Sequence, residues 1–447
     1  MTDLYFSFDT EDFTSNDSSD AVRDQAEILH SYGIRGNFSV VGYLAREWVR
    51  NRRWDVLDAL KNHSISLHSL GHSYHPTISE YTDIEDFKTA YRRVYAEEHE
   101  ASGMVKAATG VGRFPSAMTP GNNYSYAALY LYADMGIPIF TGSFHDIPDK
   151  PGIHFCNAYH LDYYPTELEI LFRDPEYSPD ALLNELAGMR QVMLCNHPNR
   201  VLFKEFWDLY NYNGENLHEW GKWVEPPRYS EEEVRLYYTR LRELIERIKA
   251  DERFRIGDID RLAQKLIREE AERVVTKDML PAIHANLEKE LLWMNDPAEL
   301  SVADCFFAAR HFMDSDVPYK PGKVHGFLYE PCGITESVAL NADRVRRMAK
   351  DCDPADFLPP SFTVDGITVG PADLLFAMLA VAEGKERVTL VPRAQQCDLS
   401  HLPWVSKVRF ENTWLFSPDF KDRYLSDRLR LQAWTARVER NKSLRDL

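Results

Sequence analysis

Between Leu4 and Ile256 the chain alternates short apolar runs of strand character with longer runs of helical period, and this alternation restricts its fold more than any other feature. Leu4, Phe6 and Phe8 alternate with Tyr5 and Ser7, the period of two that suits a strand. Asp20–Ser31 follows with helical spacing and stops at Gly33, where a helix end is expected. Gly36–Val41 reads as extended, Leu44–Asn62 as a helix and Ser64–Leu67 as a short strand. Further on, Thr82–Ala101 and Ser125–Met135 read as helices, and Ile137–Phe140, Glu167–Phe172 and Gln191–Cys195 as strands. Glu231–Ala250 is a surface helix leading into Phe254–Ile256. Strands separated by helices pair in parallel, and seven or eight such units predict an α/β fold of the irregular (β/α)7–8 barrel type.

After Leu266 the alternation fades. Glu269–Val275, Pro281–Trp293 and Val302–Met313 have helical patterns, and Pro359–Gly366 reads as a turn or hairpin before an apolar helix at Pro371–Ala382. A chain of 447 residues exceeds one ordinary core, so residues 1–265 are read as the barrel and 266–447 as a second, mainly helical domain. The net charge of −18 argues against nucleic acid or an anionic membrane as partner, since both reward clustered Lys and Arg. No run reaches the ~18 apolar residues of a membrane span. The amino terminus lacks a basic segment followed by an apolar one, and the six cysteines are scattered without a C-x-x-C pair. A reducing compartment is the consequence, and a cytoplasmic location is expected.

Three polar groups stand directly after predicted strands: Asp9-Thr10-Glu11-Asp12, His68-Ser69-Leu70-Gly71-His72 and Asn196-His197-Pro198. In parallel α/β barrels the loops leaving the carboxyl ends of strands share one face, so these distant residues converge there. His68 and His72 are four apart, and on one helical turn such a pair shares an ion. His75 offers a second pairing, with His72. Two imidazoles and a carboxylate suit zinc first, with iron, cobalt or nickel as further fits, and three protein ligands leave the open positions that catalysis needs.

These residues carry a family resemblance. Ser7-Phe8-Asp9-Thr10-Glu11-Asp12 resembles the first motif of the polysaccharide deacetylases (the NodB-homology family), and His68-Ser69-Leu70-Gly71-His72 matches their H-[ST]-x-x-H metal motif. Leu194-Cys195-Asn196-His197-Pro198 is similar to their late strand with a catalytic histidine. The resemblance covers residues 3–265. It implies a metal-dependent hydrolase that removes an N-acetyl group from a sugar, with Asp9 as general base and His197 as general acid. Glu11 or Asp12 joins His68 and His72 at the metal, Asp12 being preferred. The family's arginine-and-proline motif is only loosely matched by Arg113-Phe114-Pro115 and Thr119-Pro120-Gly121; the resemblance makes Arg113 the residue that orients Asp9. Pro120 and Gly121 fall in the substrate loop, where the Thr119–Asn122 turn is the expected source of an oxyanion-binding N–H. The family's Asp/Trp motif is not recognisable, Asp162 being a weak candidate. Trp207 and the aromatics around it, with His218-Glu219-Trp220, either stack on sugar rings or pack between domains. Two other readings follow from the same residues: a related C–N hydrolase of a small linear or cyclic amide, and a carbohydrate-binding barrel without turnover.

Overall fold

The structure is a computed structural model that describes residues 1–121, 124–142, 152–164, 166–212, 222–406, 410, 415–416 and 419–438. In chain order the first strands are β1 (Thr2–Thr10), β2 (Asn37–Val40), β3 (Ser64–Leu67), β4 (Ser116–Met118), β5 (Ile139–Gly142), β6 (Ile153–Phe155), β7 (Ala158–Asp162), β8 (Gln191–Asn196) and β9 (Phe254–Ile256). Two small antiparallel ladders follow, β10 (Val338–Asn341) with β13 (Arg387–Leu390) and β11 (Phe362–Val364) with β12 (Ile367–Val369). A last strand, β14 (Arg437–Val438), returns to the main sheet.

The main sheet has ten strands in the order β14-β6-β7-β5-β4-β3-β2-β1-β8, with β9 beside the amino half of β1. From β7 through β8 its neighbours run parallel; only β6 and β14 are antiparallel. A parallel bridge, Tyr163 to Met193, ties the exit of β7 to β8. Tyr5, Met118, Ile139, Tyr159, Leu161, Tyr163, Met193 and Cys195, drawn from both flanks of the sheet, form one apolar cluster, so the sheet curls around its own interior. This is the expected mixed α/β architecture, built as a curled, mainly parallel sheet whose flanks meet at one bridge.

Local chemistry explains most elements. Ser15 caps the helix Asn16–Ser31 by accepting from Asp17 N–H. The long helix Phe87–Thr109 starts at the Asp86 cap, buries Ala90, Val94, Ala101 and Val105 on one face, and ends at Gly110 with φ of 75°. That helix begins and ends later than the Thr82–Ala101 pattern. The predicted helix Leu44–Asn62 is two helices, Gly42–Arg50 and Trp54–Leu60, broken where Arg52 takes a φ of 57°. Glu167–Phe172 is not a strand but contains the helical turn Leu168–Leu171. Its apolar alternation misleads because Leu168 and Phe172, four apart, are buried while Ile170 is 48 % exposed.

Beyond the main sheet, helices Leu280–Lys289, Val302–Phe312, Ala342–Ala349 and Pro371–Ala382 pack with the two small ladders. The hairpin before the apolar helix is β11–β12. Helix Ile259–Glu272 runs through position 265, and β14 pairs with β6, so the carboxyl-terminal part contributes an edge strand to the main sheet. Among the described residues no helix is long and apolar enough to cross a membrane.

Candidate active site

The register of the parallel strands brings the three polar groups together. Phe8 pairs with Asn196 and Asp9 with Ser39, while Ser39 pairs with Ser66, two residues before His68. The carboxyl ends of β1, β3 and β8 therefore share one face, and two sets of potential ligands stand there with their ligand atoms within 4.8 Å: Glu11, His68 and His72, and Asp9, Cys195 and His197.

In the first set, Glu11 Oε2 lies 2.7 Å from His72 Nε2 and 3.8 Å from His68 Nε2. All three side chains are buried. The imidazoles do not sit on a helical turn. Ser69 and His72 adopt positive φ (62° and 54°), and the loop is closed by His72 N–H donating to Ser69 Oγ at 3.2 Å. The rings meet edge to face, 4.9 Å between centroids. Their far nitrogens are held from behind: His68 Nδ1 by the Met118 carbonyl at 3.4 Å, His72 Nδ1 by Ser73 Oγ at 3.0 Å and by Asp208 Oδ2 at 3.2 Å. Asp208 in turn accepts from Ser73 Oγ at 2.5 Å. Trp207 Nε1 donates to the other oxygen of Glu11 at 3.1 Å.

A divalent cation fits this donor set on an observation of the side chains themselves. His68 Nε2 is buried without a hydrogen-bond partner, facing a carboxylate and a second Nε2. Orphaned buried acceptors are rare, and outer partners on each Nδ1 are the usual support of ligating histidines. Burial alone raises Glu11, but the His72 and His68 rings outweigh it and hold the carboxyl well below its ordinary range. Burial opposes the charge on His72, yet Glu11 and Asp208 raise it to about 9.

Asp12, the preferred carboxylate from the sequence, is turned away. Its Oδ1 accepts from Thr14 N–H (2.9 Å), Thr14 Oγ1 (2.7 Å) and Ser15 N–H (3.2 Å), and its Oδ2 accepts from Ser18 Oγ at 2.5 Å. It organises the helix start, and Glu11 is the residue that faces the imidazoles. His75 is occupied elsewhere, its Nδ1 2.7 Å from Glu80 Oε2, so the pair that meets is His68 and His72.

Beside this set, Asp9 is buried between His197 Nε2 (3.6 Å), Cys195 Sγ (3.6 Å) and Tyr163 Oη (3.5 Å). Burial pushes its carboxyl up, against the pull of His68 and His197. His197 is anchored through Nδ1 to Glu169 Oε1 at 2.7 Å. The second Glu169 oxygen accepts from His197 N–H at 3.3 Å and from Asn196 Nδ2 at 2.8 Å. Burial opposes protonation of His197, but Glu169, Glu11 and Asp9 raise it to about 10.

Two further expectations are corrected. Arg113 does not orient Asp9: it is exposed and precedes β4, at the amino end of the strands, opposite the face that carries Asp9. Cys195 and Tyr163 hold Asp9 instead. Trp207 is fully buried, packs on Phe13 at 4.7 Å and donates to Glu11, so it is a support for the ligand set rather than a surface for a sugar. Pro120, buried, and Gly121, exposed with φ of 50°, stand on the loop that leaves the carboxyl end of β4. Asn122, the Asp162 side chain and His218-Glu219-Trp220 lie outside the described residues. Sequence reading missed Glu169, Asp208, Cys195 and Tyr163. Of these, only Asp208 carried a signal, as the acid following Trp207 in an aromatic-rich segment.

No protein-family model matches the chain, and no curated protein matches it. Among solved structures it is similar to 4-alpha-glucanotransferase from Thermococcus litoralis, at 10 % identity and TM-score 0.40, over 59 % of this chain and 40 % of that one. Puue allantoinase is 12 % identical with TM-score 0.36, over 59 % and 89 %. A family 4 carbohydrate esterase from Streptomyces lividans, solved with acetate, is 12 % identical with TM-score 0.31, over 57 % and 92 %. These likenesses are weak in both identity and superposition, and the chemistry rests on the side chains alone.

Proposed function

We propose that this chain is a metal-dependent hydrolase of C–N bonds that removes an N-acetyl group from a sugar or oligosaccharide. The observation that carries the reading is the convergence of Glu11 Oε2 on the Nε2 atoms of His72 and His68, at 2.7 and 3.8 Å, next to the Asp9–His197 pair. In this reading Glu11, His68 and His72 hold a divalent ion, zinc first, and residues 1–265 form the catalytic unit beside a mainly helical unit, 266–447. A divalent ion at those three residues supplies Lewis acidity, polarising an amide carbonyl and acidifying water.

The other steps belong to the chain. Asp9, raised by burial, accepts the proton of the attacking water as its oxygen bonds to the carbonyl carbon. Protonated His197 then gives its Nε2 proton to the departing nitrogen as the C–N bond breaks, leaving acetate and a free amine. Glu169 fixes the imidazole so that Nε2, not Nδ1, faces Asp9. Cys195 and Tyr163 fix the base.

The same residues suit a second reading, hydrolysis of a small linear or cyclic amide, because the Glu11–His68–His72 set and the Asp9–His197 pair act on the C–N bond whatever body carries it. Acetate release from N-acetylglucosamine oligomers, set against ammonia or amine release from small amides, separates the two. Turnover of neither class by the metal-loaded chain, with glycan binding retained in His197→Ala, makes the barrel a binding protein and refutes the proposal.

A further inference from the structure

A second cavity, larger than the one at His72, lies on the opposite side of the sheet. It measures about 340 Å³ and is lined at the amino ends of β5 and β7 by Ile137, Pro138 and Asn157, and on its other wall by Leu266, Lys323 and Arg437. It lies where the barrel meets the carboxyl-terminal part, and its volume falls in the range of small-molecule sites. None of the residues of the candidate active site lines it.

Charged groups are built into its wall. Arg273 donates through Nη2 to Asp304 Oδ2 at 2.6 Å and through Nη1 to Glu270 Oε2 at 3.0 Å. Arg437 donates through Nη2 to the other Glu270 oxygen at 2.5 Å. The side chains of Arg273, Asp304 and Arg437 are 13 %, 2 % and 9 % exposed, and Glu270, which joins the two arginines, is 40 % exposed, so the network is shielded at Asp304 and meets water at Glu270. Lys323 borders the same space, but its Nζ is held by Asp134 Oδ1 at 2.9 Å and by the Ala133 carbonyl at 2.8 Å; the donor left over is Arg273 Nε, buried without a hydrogen-bond partner. His154 lines the same space, opposite Arg437 in the β6–β14 ladder, and Glu270 Oε1 stands 3.8 Å from its Nδ1, too far for a hydrogen bond. Burial, Arg437 and Arg273 hold its imidazole well below the ordinary range, so at neutral pH it stays uncharged in a positive local field. The rest of the wall is apolar: Ala133, Ile137, Pro138, Leu266, Ile267 and Val324.

We infer that this cavity is a binding site for a small organic anion with an apolar body, its charged end toward Arg273, Arg437 and His154 and its body against the Ile137–Leu266 wall. The N–H groups that the Glu270 and Asp304 contacts leave over supply charge-assisted donors to a carboxylate or sulfonate, and burial strengthens them. The site is independent of the hydrolase reading.

The test uses the full chain with 1-anilinonaphthalene-8-sulfonate as probe, followed by its fluorescence. The site predicts saturable binding of about one probe per chain, displaced by octanoate and not by octylammonium. Arg437→Gln weakens it about tenfold or more. Because Arg437 also belongs to the ion network, Ala271→Trp serves as second variant: Ala271 lies on the cavity wall at an exposed position, so a bulky ring there fills the space without entering the core. Ala271→Trp is expected to keep its melting temperature and lose saturable binding. Absence of saturable binding, equal displacement by octylammonium, or an unchanged affinity in Ala271→Trp overturns the inference.

Discussion

Trp207 donates its indole N–H to Glu11 Oε1 at 3.1 Å, and the residue after it, Asp208, stands 3.2 Å from the far nitrogen of His72. One short helix, Trp207–Asn211, thus supports two of the three candidate ligands. Trp207→Phe keeps an aromatic ring, though a smaller one, and removes the donor, leaving a buried carboxylate oxygen unpaired. The expected cost is about 1–3 kcal/mol of stability and about 10- to 100-fold in metal affinity. Thermal melts and metal competition against a chelator of known affinity read both.

Glu169→Gln removes the charge that raises His197. His197 has a folded value of about 10 against an ordinary value of 6.5, so the stability it contributes is fully present below pH 6.5 and is lost as pH climbs through about 10. In the variant that window narrows from the alkaline side. If His197 is the proton donor, the alkaline limb of the kcat profile moves to lower pH as well. An unmoved limb separates His197 from the acid role.

Glu98 tests the same linkage, with the same sign, in a more acidic window. Burial pushes its carboxyl up to about 8, and it accepts from Tyr132 Oη at 2.9 Å. The folded chain keeps a proton that the unfolded chain sheds near 4.5, so stability falls as pH rises from about 4.5 to 8. Glu98→Gln is expected to flatten that slope. Melting temperatures measured across this range check it, and equal slopes in the two proteins contradict it.

Cys195 donates to Asp9 Oδ2 at 3.6 Å from a buried position. Cys195→Ala is expected to lower kcat about two- to tenfold with little change in KM, the worth of one modest hydrogen bond. Cys195→Ser, which keeps a donor, recovers most of the loss. Equal loss in both variants assigns Cys195 a packing role only.

The alternation of strands and helices was legible because the strands carry an apolar side chain at every second position, as at Leu4, Phe6 and Phe8 and at Ile65 and Leu67. The three exit loops were legible for the same reason, since polar residues at strand ends stand out. Facing was not. Glu11 and Asp12 are adjacent, and only the Thr14, Ser15 and Ser18 donors around Asp12 decide which one turns toward the imidazoles. Glu169 was hidden inside a run whose alternation mimics a strand, and its partner His197 is 28 positions away. Arg113 was placed by motif alone, and strand direction puts it at the wrong end of β4.

Elemental analysis of the purified full chain, dialysed against a zinc-supplemented buffer and then against metal-free buffer, tests the central claim most directly. The account predicts about one divalent ion per chain in the unaltered protein and in Arg113→Ala, and loss of that ion in Glu11→Gln and in His68→Ala with the fold retained by circular dichroism. A metal content unchanged in both of those variants, or no bound ion in the unaltered protein, contradicts it.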